Sequence, residues 1–369
     1  MIIQHFHGTR ETRTRIKREL GLTCQTGRFL LTLFFQLMNF PVHLHSLWHG
    51  KRFNSFNRVL RDSFAARVYK IGLRVDFTCP NRDGTVAVGG CIYCNNASHT
   101  PATYRPRLTV TEQLKQGAAA IRRRHSAERF IAYFQSYTNT YDSIDRLEQF
   151  YREALAFPGV IGLAVATRPD CLANETLDLL AELAQHTYLW LELGLESMRD
   201  RTLRWINRGH SLAQYIDAVE RAHGYGLRIC THLILGFPGE SREDMLETAD
   251  LFNRLSMDGV KLHNLHVLKN TVLEKYYDAG AVPLLSQDDY AALVVDFLER
   301  LNPAIVMHRL SAVAHRTLTV APAWSVDKRG MHNRIHRELI QRDAWQGRLY
   351  TKSEFRTSLA SMSNQGAAI

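Results

Sequence analysis

The sequence predicts an α/β protein built as an open, partial (β/α)6 barrel of the TIM-like kind, followed by an irregular C-terminal cap. Three observations lead there. From Arg67 onward, six short apolar runs alternate with amphipathic stretches of helical period. The runs are apolar at successive positions, as expected of parallel strands covered on both faces. The most unusual residues gather directly after the runs, where a barrel of this type carries its working face. Six units are too few to close an eight-stranded ring, so the barrel is expected to stay open.

The strand candidates are Val68–Val75, Phe130–Gln135, Val160–Thr167, Tyr188–Leu195, Arg228–Leu235 and Val260–Val267. Each is rich in apolar or β-branched residues and bounded by Gly, Pro or polar positions. The first helix starts at Thr109, with Glu112 three residues on as an acidic partner for a capping box. Ser143–Leu155, Asn174–Ala184, Ser211–His223, Ser241–Leu255 and Gln287–Leu301 complete the alternation. Beyond residue 302 the pattern becomes irregular. His308-Arg309-Leu310-Ser311 is compatible with a further strand and turn, Ala321-Pro322-Ala323-Trp324 with a loop, and Gly330–Arg342 with a helix. The domain reading is therefore an N-terminal extension over 1–50, a barrel over 51–302, a cap over 303–350 and a small polar tail over 351–369.

The formal net charge is +10, but residues 1–53 hold eight Lys/Arg against two Glu, so six of those ten charges lie in the extension. The basic balance is thus only a weak pointer to nucleic acid. Phe29–Trp48 is apolar but interrupted by Gln36, Asn39, Pro41, His43 and His45, too broken for a spanning helix of roughly 20 residues. No membrane association is expected. Met38 is a candidate natural start, with residues 1–37 as upstream translation. The six cysteines, at 24, 79, 91, 94, 171 and 230, do not form the evenly used framework of a secreted disulfide scaffold. A reducing, cytoplasmic setting with one local metal site fits their distribution.

Half of them, Cys79, Cys91 and Cys94, fall within sixteen residues on the loop after the first strand. Three thiolates fix a metal centre and leave one position open. A four-ligand zinc knuckle completed by His99, a catalytic zinc, and a 4Fe–4S cluster with one unligated iron all satisfy that spacing. The place of the trio on a barrel loop, where no small domain needs a metal to hold its core, favours the cluster. The runner-up is a zinc-stabilised nucleic-acid-binding protein without radical chemistry.

The flanking residues carry a resemblance. Phe77-Thr78-Cys79-Pro80-Asn81-Arg82-Asp83-Gly84 and Gly89-Gly90-Cys91-Ile92-Tyr93-Cys94-Asn95 resemble the cluster loop of the radical S-adenosylmethionine (SAM) enzymes. Ala132–Thr138, Thr167–Cys171, Trp190–Glu196, Ile206–His210, His232–Glu240 and Asp258–His263 extend the likeness collinearly over roughly residues 50–325. It is nearest to the uncharacterised YhcC-type branch, related to the radical domain of the Elongator catalytic subunit. The eleven residues between Cys79 and Cys91 match that wide-gap branch and depart from the commoner three-residue gap.

The resemblance implies a 4Fe–4S cluster on Cys79, Cys91 and Cys94, with SAM bound at the open iron and cleaved to a 5′-deoxyadenosyl radical. It implies cofactor contacts from Tyr93, Glu196, Arg208, Gly236 and Gly239, and an electron donor such as flavodoxin or ferredoxin. The chain departs from the pattern at Ala166, where Elongator-like relatives carry an acid, so Thr167, Arg168 or Asp170 is left to face the site. His263 and His266 are candidates for the substrate pocket alongside Arg168 and Asp170. Cys171 and Cys230 read as buried small hydrophobes. The substrate is unidentified. Kinship to Elongator makes tRNA a candidate, although nothing in the chain resembles that subunit's acetyltransferase domain.

Overall fold

The computed structural model describes residues 41–100, 108–313 and 315–351. The expectations for Met38, Cys24, residues 1–40, residues 352–369 and the side chain of His99 lie outside the described residues. The chain divides into two compact units, Met1–Arg52 and Phe53–Ile369. In the first, helix α1 spans Val42–Leu47 and ends at the left-handed His49 and Gly50.

The second unit opens with helix α2 (Phe56–Phe64) and strand β1 (Val68–Leu73). After the cysteine loop come the short helix α3 (Asn96–His99) and α4 (Val110–His125). The alternation then runs through β2 (Arg129–Phe134), α5 (Ile144–Leu155), β3 (Val160–Thr167), α6 (Asn174–His186) and β4 (Tyr188–Glu196). It continues with α7 (Asp200–Trp205), α8 (Leu212–Gly224), β5 (Ile229–Leu235), α9 (Arg242–Arg254) and β6 (Gly259–Asn264). The last stretch holds β7 (Val267–Leu268), α10 (Val272–Asp278), α11 (Gln287–Arg300), β8 (Val306–Arg309), β9 (Thr319–Ala321) and α12 (Lys328–Gln341).

Seven strands form one sheet in the order β1-β2-β3-β4-β5-β6-β8, and every pairing in it is parallel. From β1 to β6, neighbours in the sheet are neighbours in sequence, the arrangement that repeated βα crossovers produce. The result is a curled, open half-barrel. The C-terminal region supplies its seventh strand, so the irregular stretch after residue 302 contributes to the barrel sheet. β7 and β9 form a separate antiparallel ribbon.

The caps explain where helices begin. Thr109 and Glu112 form a reciprocal capping box on α4, and Ser241 and Asp244 do the same on α9. Leu73, Phe134, Val165, Leu193 and Leu235 are buried between the sheet and its helices. At about 1.5–3 kcal/mol for each large side chain, that layer is the main apolar contribution to the fold.

The inside of the half-barrel is different. Its lower end is filled by Phe56 and Leu60 of α2 with Ile131, Ala164, Trp190 and Cys230. Phe56 stacks on His308 of β8 at 3.9 Å and meets Trp190 edge-on. Helix α2 packs on both edge strands, β1 and β8, and closes the bottom of the barrel. Above this plug the interior turns polar.

Candidate functional site

The loop after β1 is stitched into place by backbone and amide hydrogen bonds. Ile92 donates its N–H to the Ile206 carbonyl at 3.0 Å, and Leu273 donates to the Ile92 carbonyl at 2.9 Å. Asn81, fully buried, donates Nδ2 to the carbonyls of Asn207 (2.5 Å) and Arg208 (2.9 Å) and lies 3.6 Å from the Cys91 sulfur. Asn207 returns a bond from its own Nδ2 to the Gly90 carbonyl at 2.9 Å. The turn is tight because Gly209 adopts φ +80, and a Cβ there would meet Asn81 Oδ1 at 2.3 Å.

Cys79, Cys91 and Cys94 are free thiols that line one cavity of about 250 Å³ at the C-terminal ends of the strands. Burial, then the neighbouring Cys91 sulfur, pushes the Cys94 thiol up to about 11. Arg208 points Nη1 at the Cys91 sulfur at 3.7 Å and donates Nη2 to the Gly194 carbonyl at 2.8 Å. It also lies 3.5 Å from Glu196 Oε1 and gives Nε to His210 Nε2 at 3.1 Å. Burial and then Arg208 hold His210 down at about 3, so that imidazole is a neutral acceptor. Glu196 sits where β4 loses register with β5, in a left-handed conformation with φ +70. Its carboxyl is raised by burial, against the pull of Arg208. Strain of this type in a non-glycine residue is concentrated at ligand-binding sites.

The structure brings Tyr93, Glu196, Arg208, Arg168, His263 and His266 to the wall of this same cavity. Ala166 and Thr167 also line it, so the position where relatives carry an acid does face the site. Three expected residues are placed elsewhere. Asp170 does not line the cavity; it receives a bidentate pair of hydrogen bonds from Arg168 Nε and Nη2, at 2.9 and 2.8 Å, and orients that guanidinium. Gly236 and Gly239 are not on the wall either. Both have positive φ and shape the turn between β5 and α9, Gly239 beside an apolar shelf formed with Trp205, Pro238 and Tyr276. Cys230 is wholly buried, whereas Cys171 is half-buried.

The cavity floor is a polar network that the motif reading had not singled out. Glu192 of β4 has no exposed side-chain surface. Its Oε1 accepts from Lys70 Nζ at 2.5 Å, and its Oε2 accepts from His232 Nε2 at 2.8 Å and from Lys261 Nζ. Lys261 also donates to Tyr133 Oη at 3.0 Å. Burial would raise Glu192, but Lys261 and Lys70 overcome it and hold the carboxyl well below its usual range. Burial depresses Lys261 to about 8 despite Glu192, and holds His232 at about 3. The signal was present in the sequence: charged residues stand inside otherwise apolar strand runs, as in Leu191-Glu192-Leu193 and Val260-Lys261-Leu262.

Glu192, Cys230 and His308 place three potential ligand atoms within 4.8 Å of one another, the one such group found among the described residues. Both Glu192 oxygens are already engaged by two ammonium groups and an imidazole N–H, so a dication there would displace its own competitors at high cost.

The protein is thus a parallel half-barrel that carries three cysteines at the mouth of its cavity. The sequence profile of the Radical SAM superfamily matches residues 81–252, and that of the Radical_SAM C-terminal domain matches residues 257–341. The chain belongs to the radical SAM superfamily. It is 38% identical over 309 residues to the uncharacterized protein YtqA of Bacillus subtilis, covering 84% of this chain and 96% of that one. It is 38% identical over 275 residues to protein YhcC of Escherichia coli, covering 74% and 88%. A tRNA uridine(34) acetyltransferase of Dehalococcoides mccartyi is 26% identical over 153 residues, 41% of this chain and 33% of that protein. Among solved structures, the archaeal Methanocaldococcus infernus Elp3 with an N-terminal deletion superposes with a TM-score of 0.60 at 16% identity. That match covers 76% of this chain and 64% of the other and reflects the fold. Membership implies SAM and a 4Fe–4S cluster in general terms. Among the described residues no helix is long and apolar enough to cross a membrane.

Proposed function

We propose that this chain is a radical SAM enzyme in which Cys79, Cys91 and Cys94 hold a 4Fe–4S cluster and SAM occupies the remaining iron. The observation that carries the reading is that all three thiols line one cavity at the strand ends together with Arg208 and Glu196. Three thiolates and no fourth protein ligand suit a cluster with one iron left open. When bound, the cluster and SAM supply the reductive cleavage that yields a 5′-deoxyadenosyl radical.

The chain's own residues have distinct tasks in this account. Asn81 and Arg208 aim N–H groups at the Cys91 sulfur and hold it in place. Arg208 is suited to the SAM carboxylate, with Glu196 and the Gly194 carbonyl fixing the guanidinium. Tyr93 packs towards Phe237 at 6.3 Å and presents a ring beside the thiols. Arg168, held by Asp170, together with His263 and His266, forms the wall facing the substrate.

The substrate proposed is tRNA, supported by the similarity to the tRNA uridine(34) acetyltransferase of Dehalococcoides mccartyi. The electron donor proposed is a flavodoxin or ferredoxin, and the setting the cytoplasm. Anaerobic reconstitution with iron and sulfide tests the reading. A brown protein that forms 5′-deoxyadenosine from SAM under reduction supports it; a colourless protein retaining one tight zinc supports the nucleic-acid-binding alternative. Comparing modified tRNA nucleosides between deletion and parent cells tests the substrate, and an unchanged nucleoside profile counts against tRNA.

A further inference from the structure

We infer that the end of the cavity formed by β6 and β8 is a seat for an anionic group of the substrate, a carboxylate or a phosphate, held by Arg309 with Lys261 beside it. The inference rests on the proposed reading that this cavity receives the substrate. Arg309 stands on the last strand of the sheet, and the cysteine loop follows the first. It lines the cavity and donates Nε to the Leu262 carbonyl at 3.2 Å, which fixes the plane of the guanidinium; among the described residues both Nη groups are left for another acceptor.

The carboxylates on and just behind the cavity wall are already committed. Glu192 gives one oxygen to Lys70 and the other to His232 and Lys261. Glu196 pairs with Arg208, and Asp170 with Arg168. Lys70, Lys261 and Arg309 therefore share a single carboxylate, an excess of two positive charges around the floor, with Lys261 and Arg309 on the cavity wall. His232 adds none, because burial keeps it neutral. Burial also lowers Arg309 from its ordinary value, although Tyr133 and Glu192 oppose the shift. Holding a guanidinium out of water without a counter-ion costs free energy, and an incoming anion removes that cost. A planar fork with two free Nη groups matches the geometry of a carboxylate or a phosphate. Arg208, bonded at the opposite side to the cysteine loop, is left for SAM.

The test titrates inorganic phosphate and, separately, acetate into cluster-loaded, SAM-saturated protein by anaerobic calorimetry. One of the two anions binds the unaltered chain, at least tenfold more weakly to Arg309→Met, and with intermediate affinity to Arg309→Lys. Preference for phosphate assigns a phosphorylated or polynucleotide substrate, and preference for acetate a carboxylate substrate. Failure of both anions to bind, or equal binding by Arg309→Met, overturns the seat. Should Arg309→Met lose its folded circular dichroism, the comparison with Arg309→Lys decides. If no cluster can be loaded, the radical reading fails by itself, and titration of the cluster-free chain still reads the anion seat.

Discussion

Replacing Glu192 by glutamine keeps the shape of the cavity floor and deletes the one negative charge between two ammonium groups. In the intact protein its two oxygens accept from Lys70, Lys261 and His232, all from different strands. The amide oxygen of glutamine can accept from one lysine, but its NH2 then points at another donor. Removing one member of a buried, hydrogen-bonded ion pair costs about 3–5 kcal/mol, because the remaining charge is left without compensation. Lys261 is already depressed to about 8 with Glu192 present, so without it the lysine falls further and loses its proton near neutrality. That release keeps the loss within the stated range. Against a typical total of about 5–15 kcal/mol, such a loss is large. Urea unfolding at pH 7, followed by circular dichroism, reads it directly. The double variant Glu192→Gln/Lys261→Met removes the buried amine left without its counter-ion and recovers part of the stability, so the two losses are not additive. A single-variant loss under about 1 kcal/mol, or strict additivity in the cycle, would refute the claim that Glu192 is the counter-ion of this floor.

Three further outcomes are expected. Lys261 sits at about 8 in the folded chain against an ordinary value of 10.5. The unfolded chain therefore binds the extra proton between those pH values, and stability contributed through Lys261 rises by about 3 kcal/mol from pH 8 to 10.5. Lys261→Met lacks that rise, and denaturant midpoints at the two pH values check it; parallel curves for both proteins contradict it. Gly209→Ala forces a Cβ against Asn81 and a left-handed backbone at once, so loss of the Asn81 bonds exposes the cysteine loop. Faster amide exchange at residues 81–92, with the sheet unaffected, is the expected signature, and unchanged exchange there would count against the stitch. Thr109→Ala removes the capping box of α4 and lowers stability by about 1 kcal/mol, measured by thermal unfolding.

The strand–helix alternation was legible because local signals agree with the fold at each step. Val160–Thr167 is continuous in β-branched and apolar residues, and the strand has those bounds. Ser241 and Asp244 announce the start of α9 through three-residue spacing alone. Strand β8 was only half visible, since its four residues, Val306–Arg309, include a histidine and an arginine whose place inside the barrel depends on long-range neighbours. Helix α2 carries no side-chain cap at Ser55, and its role as a plug comes from stacking Phe56 on His308, more than 250 positions away in the chain. The cysteine trio was conspicuous by spacing. The floor was not, because Lys70, Glu192, His232 and Lys261 meet across four strands and no local pattern announces their encounter. Asp170 shows the same limit in reverse. Its motif pointed to the site, yet its side chain serves Arg168.

The central claim is that the first loop holds an open 4Fe–4S cluster at which SAM is cleaved. Its most direct test is anaerobic reconstitution of the full chain and of Cys79→Ala, Cys91→Ala and Cys94→Ala, with Cys230→Ala as the control. Bound iron, sulfide and 5′-deoxyadenosine are quantified under reduction. The account predicts about four irons per chain and 5′-deoxyadenosine formation for the unaltered protein and the control, and loss of both in the three loop variants. A normal cluster in Cys91→Ala, or a colourless chain with a single tight zinc, would contradict it.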